Sequence, residues 1–294
     1  MRTKRVAPWL GLAVVVFGVA WLAAPRVRER LMRREVLASI EILRNRDLNY
    51  NDERRVARER LAQIGRPAVG PLIRCLDFDA AAPYDYEMPF QAAEVLAEIG
   101  PDAKAAIPKL VPLLDDHSSE HVLAGENLAM RCASTLGMIG EPALPAVLDA
   151  LKSPDWRTRN AALWALKVMG PKAHSAIPAV VALFRDPDAN VRSAAVDALG
   201  GMGPETEKAI PDLVVLLGDT ETVPDSRPYR HATPDRAAAH VLGLMGDPAV
   251  PHLEKALTSE DPAVREGAKR AFAWIEDAKK KRAAVPSPSP SPAR

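Results

Sequence analysis

The chain has 294 residues, a formal net charge of +1 at pH 7 and an aromatic content of 5%. Because β-sheets are enriched in aromatic and β-branched residues, a composition dominated by alanine, leucine and charged side chains argues against strands and for an all-α protein. A nearly neutral chain has no global attraction for nucleic acid, so no nucleic-acid partner is expected.

The first 25 residues contain the most apolar segment of the chain. Arg2, Lys4 and Arg5 precede residues 6–25, a run that as a helix would cover about 30 Å of hydrocarbon. It predicts a transmembrane helix and a membrane partner through residues 6–25. A cleaved signal peptide is the alternative, with Ala20 at its cleavage site. Since Trp21 continues the apolar run beyond that residue, the sequence favours an uncleaved anchor and a single-pass membrane protein.

Residues 26–51 are expected to form a basic helical stalk. Five arginines between positions 26 and 34 outnumber the three basic residues before the apolar run, which favours a cytoplasmic repeat domain by the positive-inside rule. A cleaved segment would instead make the protein secreted or periplasmic. Leu37, Ile40 and Leu43 on the stalk are predicted to dock on the first repeat as a cap.

One pattern recurs between residues 52 and 277. Ala162, Leu166 and Met169 stand eight, four and one residues before Gly170, which is the spacing of one helix face. The same pattern precedes Gly65, Gly100, Gly140, Gly203, Gly246 and, in the last copy, Glu276. Each glycine is expected to end its helix in the left-handed conformation, which costs glycine no steric strain.

A second apolar run, opened by proline, follows each glycine after a short turn. Pro178 opens one such run, and equivalent prolines stand at Pro108, Pro145, Pro211 and Pro251. Proline fits the first turn of a helix, so the repeating unit is helix, turn, helix. Successive glycines lie 30 to 43 residues apart, within the period range of helical solenoids. Cys132 and Cys75 occupy small core positions of these helices and are not expected to form a disulfide.

The turns of these repeats resemble a known family. Residues 140–145 and 246–251 read Gly-x-Pro-Ala-(Leu/Val)-Pro, and residues 186–192 read Asp-Pro-Asp-Ala-Asn-Val-Arg. These motifs resemble the short bacterial HEAT-like repeats, a type similar to that of phycobilin lyases. The resemblance implies an armadillo-type fold, a right-handed α-solenoid of about seven helix pairs over residues 52–277. Because HEAT-like repeats serve many unrelated tasks, it implies a fold more specifically than a function.

Residues 278–294 begin basic and end in alternating proline and serine. Beyond Ile275 the last helix is expected to run on through the basic residues Lys279 to Arg282. The stretch from Pro286 to Pro292 cannot pack a core, so an extended disordered tail is predicted there.

The sequence carries few signals of catalysis. It has no phosphate-cradling glycine loop, no Gly-x-Ser-x-Gly elbow, no Cys-x-x-Cys and no His-Glu-x-x-His, so we predict no enzyme, no cofactor and no small-molecule substrate. The alternative is an enzyme-associated module, either phycobilin-lyase-like by the resemblance or a metal-binding variant. In the metal-binding case the ligands would be Asp116, His117 and His121.

Three connections between repeats are longer than the compact turn at residues 186–190. They cover residues 77–88, 115–127 and 218–235, and all join a second helix to the next first helix, so they must share one edge of the array. This edge is the predicted protein-binding surface, because arginine and aromatic residues are enriched at binding hot spots. The candidate residues are Tyr84, Tyr86, His117, His121, Arg227, Tyr229, Arg230 and His231. The alternative is that these loops are tolerated insertions without a partner.

Overall fold

The structure is a computed structural model that describes residues 27, 29–45, 51–77, 87–115, 127–222 and 233–284. Within these ranges every regular element is an α-helix or a short 3-10 helix. The prediction of an all-α protein is therefore confirmed for the described part of the chain.

Two alternating sets of helices follow helix α1, which spans residues 29–44. The first helices of successive repeats are α2 (Asn51–Ile64), α4 (Glu87–Ile99), α6 (Leu128–Ile139), α8 (Trp156–Met169), α10 (Ala189–Gly201), α12 (Pro234–Met245) and α14 (Pro262–Ala284). The second helices are α3 (Arg66–Arg74), α5 (Ile107–Leu110), α7 (Leu144–Ala150), α9 (Ile177–Ala182), α11 (Ile210–Val215) and α13 (Val250–Ala256). Short 3-10 segments such as Gly170–Ala176 link the two helices of a pair.

The repeating apolar pattern forms the core. Ala162, Leu166 and Met169 are buried, and the small residue eight positions before the terminal glycine is buried in every copy. Four residues of the pattern, Ile64, Ile99, Met245 and Phe272, are only half-buried, in interior copies as well as in the first and last. Each repeat thus covers the apolar face of the next, as a solenoid requires.

The glycines that end the first helices do not adopt the predicted left-handed helical conformation. Gly170 has φ 62° and ψ −136°, and Gly246 has φ 72° and ψ −131°. These angles lie near the mirror image of the extended region, which only glycine enters readily. The positive φ was predicted correctly, but the chain leaves each helix in an extended direction that asparagine, the usual substitute in a left-handed cap, would not accept.

The first helices pack on one another in chain order, from α2 through α14. Two close approaches depend on the absence of a side chain. A Cβ added to Gly137 in α6 would lie 2.5 Å from the Val168 Cβ, and one added to Gly243 in α12 would lie 2.3 Å from the Trp274 Cβ. Small residues on one helix therefore let the next helix approach closely.

Arginines at the start of the first helices join neighbouring repeats. The Arg159 guanidinium donates to both carboxylate oxygens of Asp186, at 2.8 and 2.7 Å, and to the Ser153 carbonyl at 2.9 Å. One repeat later, Arg192 donates in the same way to the Asp219 carboxylate and to the Asp186 carbonyl. Each guanidinium thus closes the turn before its own helix and holds the turn that connects its own helix pair to the next one.

Helix α1 covers the beginning of the array. Val36, Ile40 and Leu43 are buried, whereas Leu37 is exposed. The predicted docking of Ile40 and Leu43 is therefore observed, while Val36 takes the place expected for Leu37.

About seven helix pairs were expected. The part of the chain that the structure describes has six pairs and one closing helix, α14. Helix α14 continues for 23 residues to Ala284. The reason is local: Glu276 stands where the other repeats have glycine, and glutamate and the lysines after it are good helix formers. The right-handed sense of the solenoid stays a prediction.

None of the described helices is long and apolar enough to cross a membrane. A membrane span needs about 20 predominantly apolar residues, and α14, although long enough, carries charged residues along its whole length. This finding contradicts the prediction of a single-pass membrane protein with a cytoplasmic repeat domain, which is withdrawn. The predicted span, residues 6–25, lies outside the described residues.

Candidate functional site: protein-binding surfaces

The candidate binding residues predicted from the sequence all lie outside the described residues. These are Tyr84, Tyr86, His117, His121, Arg227, Tyr229, Arg230 and His231. The described ends of their loops can nevertheless be located. All of them lie where the first helices begin, at an edge that we call the loop edge.

The loop between residues 115 and 127 is attached to the array at its first residue. The Asp115 carboxylate accepts a hydrogen bond from the Thr158 hydroxyl at the start of α8. Asn127 then caps α6, with its side-chain oxygen accepting from the Met130 amide at 2.9 Å. Both ends of this loop therefore lie at the loop edge.

The loop between residues 218 and 235 has a closed neck. The Asp235 amide donates to the Asp219 carbonyl at 2.9 Å. Arg192 holds the Asp219 carboxylate and also donates to Glu221 at 2.5 Å, while Arg270 holds Asp235. The hydrogen bond to Asp219 is the main reason that the pKa of Arg192 is raised, with Glu221 adding to it. The guanidinium is a fixed positive charge at the base of the loop.

The loop between residues 77 and 88 also begins and ends on paired residues. Asp77 forms an ion pair with Lys109 of the next second helix. Glu87 forms one with Arg54 near the start of α2, and Arg54 also donates to the Asn45 carbonyl. The end of this loop is thus fixed beside the start of the first repeat.

Groups of metal-binding side chains are absent from the described residues, where no three His, Cys, Asp or Glu side chains are placed to hold an ion. The candidate ligands Asp116, His117 and His121 lie outside that part of the chain. Cys75 and Cys132 are buried and form no disulfide. Burial raises the pKa of the Cys75 thiol, against the opposing effect of Arg44, so this cysteine stays protonated and is not an activated nucleophile.

A row of apolar side chains crosses the exposed face of the first helices. Met138, Leu244 and Trp274 are 51%, 59% and 43% exposed. They stand two residues before the position that ends the repeat pattern in α6, α12 and α14, and half-buried Val168 holds the same position in α8. We call these four residues the apolar row. Exposed apolar side chains that form a contiguous patch mark protein interaction sites, whereas single exposed apolar side chains are common on protein surfaces.

A pocket interrupts the apolar row at α10. It has a volume of about 240 Å³ and is lined by Gly200, Thr206, Val241, Leu244 and Met245 among others. Of α10 itself only Gly200 lines the pocket, and a Cβ added there would lie 2.9 Å from Cγ2 of Val241 in α12.

The same face is acidic at its N-terminal end. Glu59 of α2 and Glu94 and Glu98 of α4 lie there. Burial raises the pKa of Glu98, and the Glu94 carboxylate raises it further, while Arg58 lowers it. Arg58 pairs with Glu94 at 2.5 Å and Arg55 pairs with Glu59 at 2.7 Å, so two of the three carboxylates have a cationic partner.

The second helices form a further, shallower surface. A groove of about 530 Å³ between α11 and α13 is lined by Pro211, Val214, Pro251, His252 and Lys255 among others. Its lining mixes apolar and polar side chains, which come from α11, α13, the turn after α13 and, through Val264, from α14.

Sequence reasoning missed the apolar row, although the signal was present. Counting back from each glycine located the buried positions at eight, four and one. The residues that stand two positions before the end of the pattern are Gln63, Glu98, Met138, Val168, Gly201, Leu244 and Trp274. In this set the first two repeats have a polar or charged residue, whereas most of the later repeats have an apolar one.

The comparisons with known proteins agree with this architecture. The sequence profile "HEAT repeats" matches residues 144–224. No curated protein matches the chain in sequence. Among solved structures, the chain is similar to the karyopherin Kap121p bound to the extreme C-terminus of the protein phosphatase Cdc14p, with a TM-score of 0.50 and 16% identity over 76% of this chain and 28% of that one.

Two other solved structures are similar over most of their length but with lower TM-scores. One is an engineered protein, with 24% identity, 71% of this chain and 96% of that chain covered, and a TM-score of 0.36. The other is the complex of CpcE and CpcF of phycocyanin lyase from Nostoc sp., with 19% identity, 81% and 92% covered, and a TM-score of 0.38. Neither likeness carries an argument about function. Together, the matched profile, the stacked helix pairs and the fold of the karyopherin identify the chain as a HEAT-like repeat protein.

Proposed function

We propose that the chain is a protein-binding scaffold without catalytic activity, and that its partner docks on the loop edge. The observation that carries this proposal is that the described ends of all three long loops lie at that edge and are held there by ion pairs and hydrogen bonds. Loops presented by a rigid array are the usual carriers of recognition.

The chemistry of the loops favours a protein partner. The candidate residues Tyr84, Tyr86, Arg227, Tyr229 and Arg230 combine aromatic rings with guanidinium groups, which supply large contact areas and directional hydrogen bonds. His117, His121 and His231 add polar side chains to the same loops. The similar karyopherin is bound to a segment of another protein, and we infer the same class of role for this array rather than that of an enzyme-associated module.

The closed neck between Asp219 and Asp235 defines how to test the longest loop. Residues 220–232 would be replaced by a single proline. The new connection then reads Asp219-Pro-Thr233, which imitates the compact turn Asp186-Pro187-Asp188. The variant keeps Asp219 for Arg192 and Asp235 for Arg270, so the array should stay folded. Its melting temperature and its capture of proteins from an extract of the source cells would be measured together.

A variant that melts like the wild type and loses its captured partner supports the proposal. A matched control is Lys208→Ala, an exposed residue at the opposite edge, which should leave capture unchanged. Unchanged capture by the folded loop variant would remove this loop from the binding surface. Loss of capture by both variants would contradict the assignment to one edge.

A further inference from the structure

We propose that Arg265, in the first turn of α14, is an open receptor for an aspartate or glutamate side chain of the partner protein. The site lies at the loop edge, where the first helices begin. The inference rests on the proposed function, because it names a chemical feature that the docked partner must carry. Three other arginines of the same chain show what such a receptor binds.

Arginine stands eleven residues before the end of the repeat pattern in four copies. These are Arg54, Arg159, Arg192 and Arg265. In the first three of them the guanidinium binds a carboxylate in the connection to the next helix pair, and these carboxylates belong to Glu87, Asp186 and Asp219. Arg265 is the fourth, and among the described residues it donates only to backbone carbonyls.

The Arg265 guanidinium is held in the same way as that of Arg159. Nη1 of Arg159 donates to two carbonyls of the turn before α8, at 2.9 and 3.0 Å. Nη1 of Arg265 donates to two carbonyls of the turn before α14, at 2.6 and 2.8 Å. Both turns end in a capping aspartate, Asp155 and Asp261, whose carboxylate accepts from the amide two residues further on. The two guanidiniums are therefore held in the same orientation relative to their helices.

The other side of the Arg265 guanidinium is open. Nε and Nη2 of Arg159 donate to the two carboxylate oxygens of Asp186, at 2.8 and 2.7 Å. The same two atoms of Arg265 have no hydrogen-bond partner among the described residues, and neither is buried, so both are reached by solvent. A guanidinium that is already fixed through one nitrogen presents a planar pair of donors that matches a carboxylate, and it loses little conformational freedom on binding.

The residues after α14 do not supply the missing acid. Residues 278–294 contain no aspartate and no glutamate. Glu266, next to Arg265, pairs with Lys269 at 3.5 Å, and Asp261 is engaged as the helix cap. The position that Asp186 fills beside Arg159 is therefore left to another molecule.

The surroundings favour a singly charged carboxylate over a phosphate. Glu260 and Asp261 are exposed beside Arg265. Their repulsion grows with the charge of the ligand, so a phosphate with nearly two negative charges is disfavoured more than a carboxylate with one. A capping aspartate does not prevent carboxylate binding, since one stands at the same place beside the Arg159 and Asp186 pair.

A defined peptide tests the receptor in the absence of the partner. The probe is the acetylated and amidated pentapeptide of residues 183–187, which contains the aspartate that Arg159 binds within the array, and the control probe carries Asp186→Asn. The arginine Nε–H signals of the labelled full-length chain would be followed by NMR, with Arg265→Lys identifying the Arg265 signal by its loss. This signal should shift saturably with the aspartate peptide, at a dissociation constant about 10-fold or more below that of the asparagine peptide.

Two controls establish that the response is selective. Arg236, an exposed arginine in the first turn of α12, should not respond to the aspartate peptide, which excludes a general attraction between charges. Inorganic phosphate at the same concentration should shift the Arg265 signal less than the aspartate peptide does. A larger response to phosphate would overturn the assignment to a carboxylate.

The affinity of the protein captured at the loop edge tests the role of the receptor. Arg265→Ala should raise its dissociation constant by about 10-fold or more. Arg265→Lys should do nearly the same, because lysine keeps the charge but lacks the planar pair of donors. Arg236→Ala, the matched control, should leave the affinity unchanged.

Two further results would each overturn the inference. They are an Arg265 signal that responds equally to both peptides and an unchanged partner affinity in Arg265→Ala. The variant without residues 220–232 separates this failure from a failure of the proposed function. Loss of capture by that variant beside full affinity of Arg265→Ala would overturn the receptor alone, whereas unchanged capture beside a selective Arg265 response would support the receptor and remove the loop.

Discussion

Replacing Arg159 with alanine should destabilise the array more than any other single change at the loop edge. Arg159 donates to both oxygens of Asp186 and also to the Ser153 and Pro154 carbonyls. The side chains of Arg159 and Asp186 are only 10% and 4% exposed. Removing the guanidinium therefore leaves a carboxylate buried with one remaining described donor, the Asp188 amide at 2.9 Å.

The magnitude follows from burial. Breaking a buried ion pair by removing one partner costs about 3–5 kcal/mol, because the remaining charge is uncompensated. Arg265 is the matched control: it donates to the Ser259 and Glu260 carbonyls in the equivalent turn and has no carboxylate partner among the described residues. Arg265→Ala should cost about 1–2 kcal/mol, the net value of such hydrogen bonds.

Urea unfolding followed by circular dichroism would measure both variants. The Arg159→Ala, Asp186→Ala double variant would complete a cycle, and its loss should be smaller than the sum of the two single losses. If Arg159→Ala and Arg265→Ala shift the unfolding midpoint equally, the contact between repeats contributes nothing, and the described coupling is wrong.

Substitutions of three further kinds, at helix glycines, at the core and its caps, and at a buried thiol, have defined outcomes. Gly246→Ala should lower the free energy of unfolding by about 1–3 kcal/mol through backbone strain alone, since nothing lies within 4 Å of an added Cβ. Thermal melting should show the same loss for Gly246→Asn. Gly243→Ala should cost a similar amount because its added Cβ clashes with the next helix. Leu166→Asp should lose more than about 4 kcal/mol by burying an unpaired charge, whereas Asp188→Ala should lose about 1 kcal/mol, the value of a helix cap; equal melting temperatures would refute the helix register. Because burial raises the Cys75 pKa, the folded state holds this proton longer than the unfolded state, so stability should fall as the pH rises past the ordinary thiol value of 9.0, and Cys75→Ala should reduce that fall in unfolding titrations at increasing pH.

The core could be predicted from the sequence because it depends on periodicity. Ala162, Leu166 and Met169 are buried as the spacing required, and Pro178 lies in the first turn of α9. The glycine conformation could not be obtained in full, because positive φ follows from residue type but ψ depends on the direction in which the chain leaves the helix. The unpaired α14 follows from one replacement, Glu276 for glycine, whose consequence depends on the residues after it.

The surfaces were harder to predict for a physical reason. The loops at residues 77–88, 115–127 and 218–235 could be recognised by length and assigned to one edge, but the hydrogen bonds that fix their ends join residues far apart in sequence. The Arg192 and Asp219 pair, for example, spans 27 residues. The apolar row required knowledge of which helix faces remain uncovered, and that is a property of the assembled array. The membrane prediction rested on the apolar run of residues 6–25 and on the residues that flank it, and none of the described helices supports it.

The central claim, a scaffold that binds a protein at the loop edge, is tested most directly by photo-cross-linking in the source cells. A photo-reactive amino acid would be placed at Tyr229, in the longest loop, and in a second variant at Glu205, which is exposed in a turn at the opposite edge. The account predicts a discrete cross-linked species containing a second protein for position 229 and none for position 205. Cross-linking of that protein at position 205 but not at position 229 would contradict it.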